Sequence, residues 1–197
     1  MGENRIKPLC LFVIILLLVV SSISIYSWIK IKHEKEVLEA IHNYEWFQKY
    51  YTIYPDLYEL SHVSTAFNYS ITHNVTDEEM ESILAGCYLR ARHVARMFRV
   101  LSYQVSSDHA KYQKLGDSFG RLEKFCLMTI TRAGIDKRKT IRQNLETLDE
   151  ISNLIGQLME YEKPSDAPME LIENLLNVTE KLEYCYSENG GIACEHP

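Results

Sequence analysis

Two short patterns in the sequence have the spacing of metal ligands. Glu39 and His42 stand three apart, and so do Glu59 and His62. Residues three apart share a helix face, so each pair sets a carboxylate beside an imidazole. Bundles that hold two metal ions use two such pairs plus a lone Glu from each of two further helices. Nothing here completes that set: Glu123 flanks its apolar stripe, and Glu146 and Glu150 fall on polar faces. Both pairs are therefore expected to be solvated faces, with no cofactor. A metal-dependent bundle enzyme built on Glu39, His42, Glu59 and His62 is the rival reading.

Arg92, Arg96 and Arg99 recur at four and three, with Arg90 and His93 nearby. Such a positive stripe suits an anionic ligand or an acidic partner. The ordinary alternative is ion pairing with an acidic helix such as the one carrying Glu146, Asp149 and Glu150. The sequence has no His-Glu-x-x-His, no Gly-rich phosphate loop and no Gly-x-Ser-x-Gly. His109 follows Asp108 without an evident nucleophile beside it, so no triad is read there. The expectation is a protein that works by binding, without catalysis.

Cys87 lies 20 residues before Ser107 and Cys126 lies 19 after it. In an antiparallel helical hairpin turning at Ser107 the two are level, and both sit on apolar stripes. That register predicts a disulfide, with two buried free thiols as the alternative. Cys185 and Cys194 would close a short loop around Gly190 and Gly191. Cys10 falls in an apolar stretch. Asn68, Asn74 and Asn177 head Asn-x-Ser/Thr sequons. Asn68 and Asn74 are expected in a loop over 68–75, where a glycosylation acceptor would be reachable; Asn177 is mid-helix. Paired cysteines and loop sequons together point to an extracytoplasmic body.

The elements that would hold these residues follow from hydrophobic periodicity. Leu9 to Ile29 is 21 residues without a charge. At 1.5 Å per residue it can cross a hydrocarbon layer about 30 Å thick. Tyr26 and Trp28 sit where an interfacial aromatic belt would lie. This predicts a membrane anchor, with a cleaved signal peptide ending near Ile25 as the alternative, which would make the protein secreted. Arg5 and Lys7 on one side balance Lys30, Lys32 and Lys35 on the other, so flanking charge does not set the orientation.

Residues 1–8 form a short tail, 9–29 the anchor and 30–75 an aromatic-rich helical segment that Pro55 ends or kinks. From Tyr44 to Tyr69 that segment crowds together more aromatic side chains than one narrow stripe can bury. It is expected to offer a surface for a protein partner or for self-association. Residues 76–187 carry four amphipathic stripes, over 77–105, 109–133, 137–162 and 167–187. Thr76 and Glu79 form a capping box at the start of the first, and Gly134 stands where a left-handed cap is wanted after the second. Residues 188–197 read as a polar tail. Low Gly and Pro content and short connections predict an all-α protein: a transmembrane helix followed by an up-and-down antiparallel bundle of four to five helices. The net charge of −6 offers nucleic acid no electrostatic support.

Overall fold

A computed structural model of the chain describes residues 3–104, 108–188 and 191–195, with the side chains of 3–11, 15, 37–49, 187–188, 191–193 and 195 outside the described set. The elements are α1 (Glu3–Leu60), α2 (Val63–Thr72), α3 (Asp77–Gln104), α4 (His109–Thr131), α5 (Lys137–Gln143), α6 (Leu145–Leu158), a 3-10 turn (Pro164–Asp166), α7 (Met169–Glu180), β1 (Tyr184–Glu188) and β2 (Gly191–Glu195). Among the described residues the elements are helical apart from one antiparallel hairpin, β1–β2. It divides into two compact units, Met1–Gln48 and Lys49–Pro197.

Within Met1–Gln48, the helical stretch Phe12–Glu36 is long and apolar enough to cross a membrane. Its large apolar side chains, from Phe12 and Val13 through Leu17, Leu18 and Ile23 to Ile31, are exposed. Where the stretch turns polar, Lys30 and Lys32 pair with Glu34 and Glu36 one turn on, at 3.8 Å each. The Lys32 ammonium also lies 5.7 Å from the Trp28 ring.

Within Lys49–Pro197, α2 packs on α3, α3 on α4, α4 on α7, α7 on α6, and α6 back on α2. The core comes from the apolar stripes. Met80, Leu84, Ala91, Val94, Ala95 and Phe98 of α3 are buried, as are Leu115, Phe119, Leu122 and Phe125 of α4. Small residues let α3 and α4 approach closely. A Cβ on Gly116 would lie 3.4 Å from the Ala95 carbonyl oxygen and 2.9 Å from Cγ of Arg99. Phe98 then fits between Phe119 and Tyr112, ring centroids 5.7 and 6.1 Å away.

Local capping follows the sequence reading at two places. The Glu79 amide donates to Thr76 Oγ1 at 3.2 Å, and the Thr76 amide donates to Glu79 Oε2 at 2.8 Å. Gly134 has φ of 85°, the left-handed conformation that glycine adopts without a Cβ clash.

Elsewhere the structure departs from expectation. Pro55 neither ends nor breaks α1. Its missing amide costs one helical hydrogen bond, which burial of Ile53, Leu57 and Leu60 on one face offsets. The helix stops at Leu60 instead, where Ser61 Oγ donates to the Tyr58 carbonyl at 2.7 Å and His62 Nδ1 lies 2.8 Å from the same oxygen. Residues 63–72 form α2, so Asn68 is on a helix and not in a loop. The third stripe is split at Asn144 into α5 and α6, and the fourth helix ends at Glu180.

The expected polar tail is part of the hairpin. Its first strand is held from outside: the Asp136 amide donates to the Cys185 carbonyl at 2.9 Å, and the Cys185 amide donates to Thr140 Oγ1 at 3.1 Å. The buried Asn144 side chain grips the strand's approach. Its Nδ2 donates to the Glu183 carbonyl at 2.9 Å and its Oδ1 accepts from the Glu183 amide at 2.9 Å. Asn189-Gly190, the residue pair favoured in two-residue hairpin turns, is the local sequence signal for the flanking strands, whereas these docking partners lie far off in sequence.

Candidate functional site

An apolar recess lies between α2 and the first half of α3, with the end of α1 as one wall. Its volume is about 560 Å³, within the range of small-molecule sites, about 300–1,000 Å³. Leu60, Val63 and Cys87 are buried in its floor, and Ile83 is half-buried beside them. The rim is polar, with Glu59, His62, Thr65 and Tyr69 on one side and Ser82 and Arg90 on the other.

Each wall is fixed by packing behind it. Phe67 and Ser70 turn the inner face of α2 into the core. Ser64 anchors α2 to α6: its amide donates to Ser152 Oγ at 3.2 Å and its hydroxyl to Asp149 Oδ1 at 3.1 Å. Opposite, α3 is held by its seam with α4. Two polar contacts join the end of α1 to α3. His93 Nδ1 lies 2.6 Å from Asp56 Oδ2, and Arg90 Nη2 lies 3.8 Å from Glu59 Oε2. Gly86 opens the floor, because a Cβ there would come within 2.8 Å of Arg90 Nη1. The guanidinium therefore folds back over the glycine.

Below the floor, Cys87 and Cys126 meet in the α3–α4 seam. The expected disulfide between them is corrected to a pair of free thiols, with Cys126 donating to Cys87 at 2.9 Å between sulfurs. Burial, reinforced by Cys87, pushes the Cys126 thiol well above its ordinary value, so the thiolate needed for exchange chemistry is suppressed there. Cys185 and Cys194 are covalently paired across the hairpin, directly opposite one another in register.

Glu59 and His62 both reach the groove, but Glu59 faces Arg90 and His62 packs at a tilt against Tyr58, ring centroids 4.6 Å apart. The side chains of Glu39 and His42 lie outside the described residues. Among the described residues, no three His, Cys, Asp or Glu side chains gather as metal ligands would.

The arginine stripe does not pair with the acidic helix suggested for it. Arg92 donates to Tyr88 Oη at 2.6 Å and lies 3.9 Å from Glu123. Arg96 is exposed, and the Arg99 side chain runs across Gly116 and Gly120 of α4. Glu150 is engaged by Lys181 at 3.6 Å, and Asp149 by Ser64.

Of the sequon asparagines, Asn68 is exposed on α2. Asn74 has φ of 51° and accepts from Arg138 at 2.8 Å. Asn177 is exposed on α7. In the aromatic segment, Tyr44, Trp46 and Phe47 lie outside the described side chains. Tyr50 and Phe67 are buried, while Tyr51, Tyr54, Tyr58 and Tyr69 are exposed. Burial pushes the Tyr50 hydroxyl up to about 12.

Sequence reasoning missed the groove itself. Its one visible trace was Gly86, an isolated glycine inside a strong helical pattern, which signals a packing or functional demand for space. Family models, curated proteins and solved structures provide no match to this chain.

Proposed function

We propose that the chain is a single-pass membrane protein whose extracytoplasmic, up-and-down helical bundle works by binding, as a ligand-receiving domain or an accessory subunit. The groove between α2 and α3 carries this reading: an apolar floor with a polar rim is the composition of a binding site. Support for the anchor is the uncharged Leu9–Ile29 stretch, with Tyr26 and Trp28 at its end. An oxidising compartment is supported by the Cys185–Cys194 bond and by the exposed sequons at Asn68 and Asn74. Tyr51, Tyr54, Tyr58 and Tyr69 supply a surface for a protein partner or a second copy.

The test is a membrane-impermeant, lysine-reactive label applied to intact cells, followed by alkaline extraction of the membranes. Labelling of exposed body lysines such as Lys181 before permeabilisation, on protein that stays in the membrane pellet, is the expected result. Labelling only after permeabilisation would overturn the extracytoplasmic assignment. Release on alkaline extraction with an N-terminus near Ile25 would replace the anchor with a cleaved signal. The metal-dependent alternative uses Glu39, His42, Glu59 and His62, of which Glu59 and His62 line the groove. A stoichiometric transition metal in the purified protein, lost on His62→Ala, would establish it in place of binding alone.

A further inference from the structure

The groove is chemically lopsided, and the asymmetry bears on what it holds. Its α1-side end carries the Arg90 guanidinium, leaning inward over Gly86. A guanidinium has five N–H donors in a planar fork suited to carboxylate and phosphate. Among the described residues, its ionic partner is Glu59 at 3.8 Å, and both side chains are more than a third exposed. A loose exposed pair of this kind contributes little and is readily exchanged. Glu59 is the more exposed of the two, 57% against 39%, so its carboxylate can turn to water while Arg90 stays over the groove. The neighbouring Asp56 and His93 side chains are engaged with each other at 2.6 Å. From Arg90 the floor continues as Cys87, Ile83, Val63 and Leu60, which carry no charge.

We infer that the groove takes an amphiphile with a single anionic oxygen head, a carboxylate or a phosphate, gripped by Arg90, and a hydrocarbon body laid along Leu60, Val63 and Ile83. This rests on the reading of the groove as the receiving site. Charge complementarity selects the head, and the uncharged floor selects the body. Gly86 is the specificity-setting position, because a side chain there makes the end of Arg90 shift and takes up space in the floor.

The probe is cis-parinaric acid, a fatty acid whose fluorescence rises on leaving water. It is titrated onto the full chain in nanodiscs of zwitterionic lipid, with empty discs as the baseline. Saturable binding above that baseline is expected. Arg90→Gln should weaken it about tenfold, the loss of one charge-assisted contact. Gly86→Leu should abolish it by filling the floor. Thr65→Trp, which blocks the rim from an exposed position, serves if the Gly86 variant does not fold. Competition by palmitate or by lysophosphatidic acid supports the inference, and whichever displaces better identifies the head as fatty acid or lipid phosphate. Equal competition by hexadecanol, with Arg90→Gln unchanged, would overturn the anionic head but leave the groove as a binding site. Binding insensitive to both blocking variants would overturn the groove as the receiving site. No saturable signal would overturn the fatty-acid-like ligand.

Discussion

The two flanks of α3 are built by opposite means. Toward α4 the helix presents the Ala95 carbonyl and Arg99 to Gly116, and Phe98 locks between two rings. Toward α2 the same helix presents Ile83, Gly86 and Cys87 to a ten-residue neighbour and leaves about 560 Å³ open. Glycine serves both flanks, with different results. At Gly116 the space it frees is filled by a neighbouring backbone. At Gly86 it is shared with the tip of one flexible arginine. Close packing makes the α4 flank a rigid back wall, and a rigid wall is what a binding groove on the other flank needs.

The largest test of this contrast is truncation on each flank. Phe98→Ala should cost about 3–5 kcal/mol, since it empties a fully enclosed site. Ile83→Ala should cost about 1 kcal/mol, because its side chain is already half-exposed. Denaturant unfolding followed by circular dichroism measures both. Similar costs would mean that the groove side is packed as tightly as the seam.

A second test uses Tyr184, whose ring stacks on Phe125 of α4 at 5.8 Å. Burial, then the nearby Cys126, pushes its hydroxyl from 10.0 up to about 12. Between those values the unfolded chain releases the proton and the folded chain keeps it. Stability is therefore present in full below pH 10 and is lost as pH rises toward 12, at up to about 1.4 kcal/mol per pH unit for this group. Tyr184→Phe should flatten that slope. It should cost little at pH 7, because the hydroxyl has no hydrogen-bond partner among the described residues. An unchanged alkaline slope would place the tyrosine outside the core.

The smallest effects come from a glycine-to-alanine series. Gly116→Ala should destabilise by about 1–2 kcal/mol, as Cγ of Arg99, at the base of its side chain, stands in the way with the α3 backbone just behind it. Gly86→Ala should be close to neutral, since helix propensity gained is offset by moving the end of Arg90. Gly156→Ala should stabilise by about 0.5–1 kcal/mol, because nothing stands within 4 Å. A different rank order in melting temperature would undo the account of the two flanks.

Much of this molecule was legible before folding, and the reason is range. The Thr76–Glu79 capping box and the Gly134 cap involve partners within a few residues, so spacing alone reveals them. The level positions of Cys87 and Cys126 also follow from local geometry, since α3 ends at Gln104 and α4 starts at His109. Register places the two sulfurs together, 2.9 Å apart, but does not by itself set whether they are bonded. The length and apolarity of the membrane-competent stretch are properties of composition and needed no tertiary context. What folding alone decided depends on residues distant in sequence. Asn144 breaks a helical stripe because Glu183, 39 residues away, rewards its amide with two hydrogen bonds. The hairpin exists where a polar tail was expected because Thr140 and Asp136 supply its edge. The groove arises because α2 is pinned to α6 through Ser64 while α3 is pinned to α4, leaving Arg90 to lie over Gly86 in the space between.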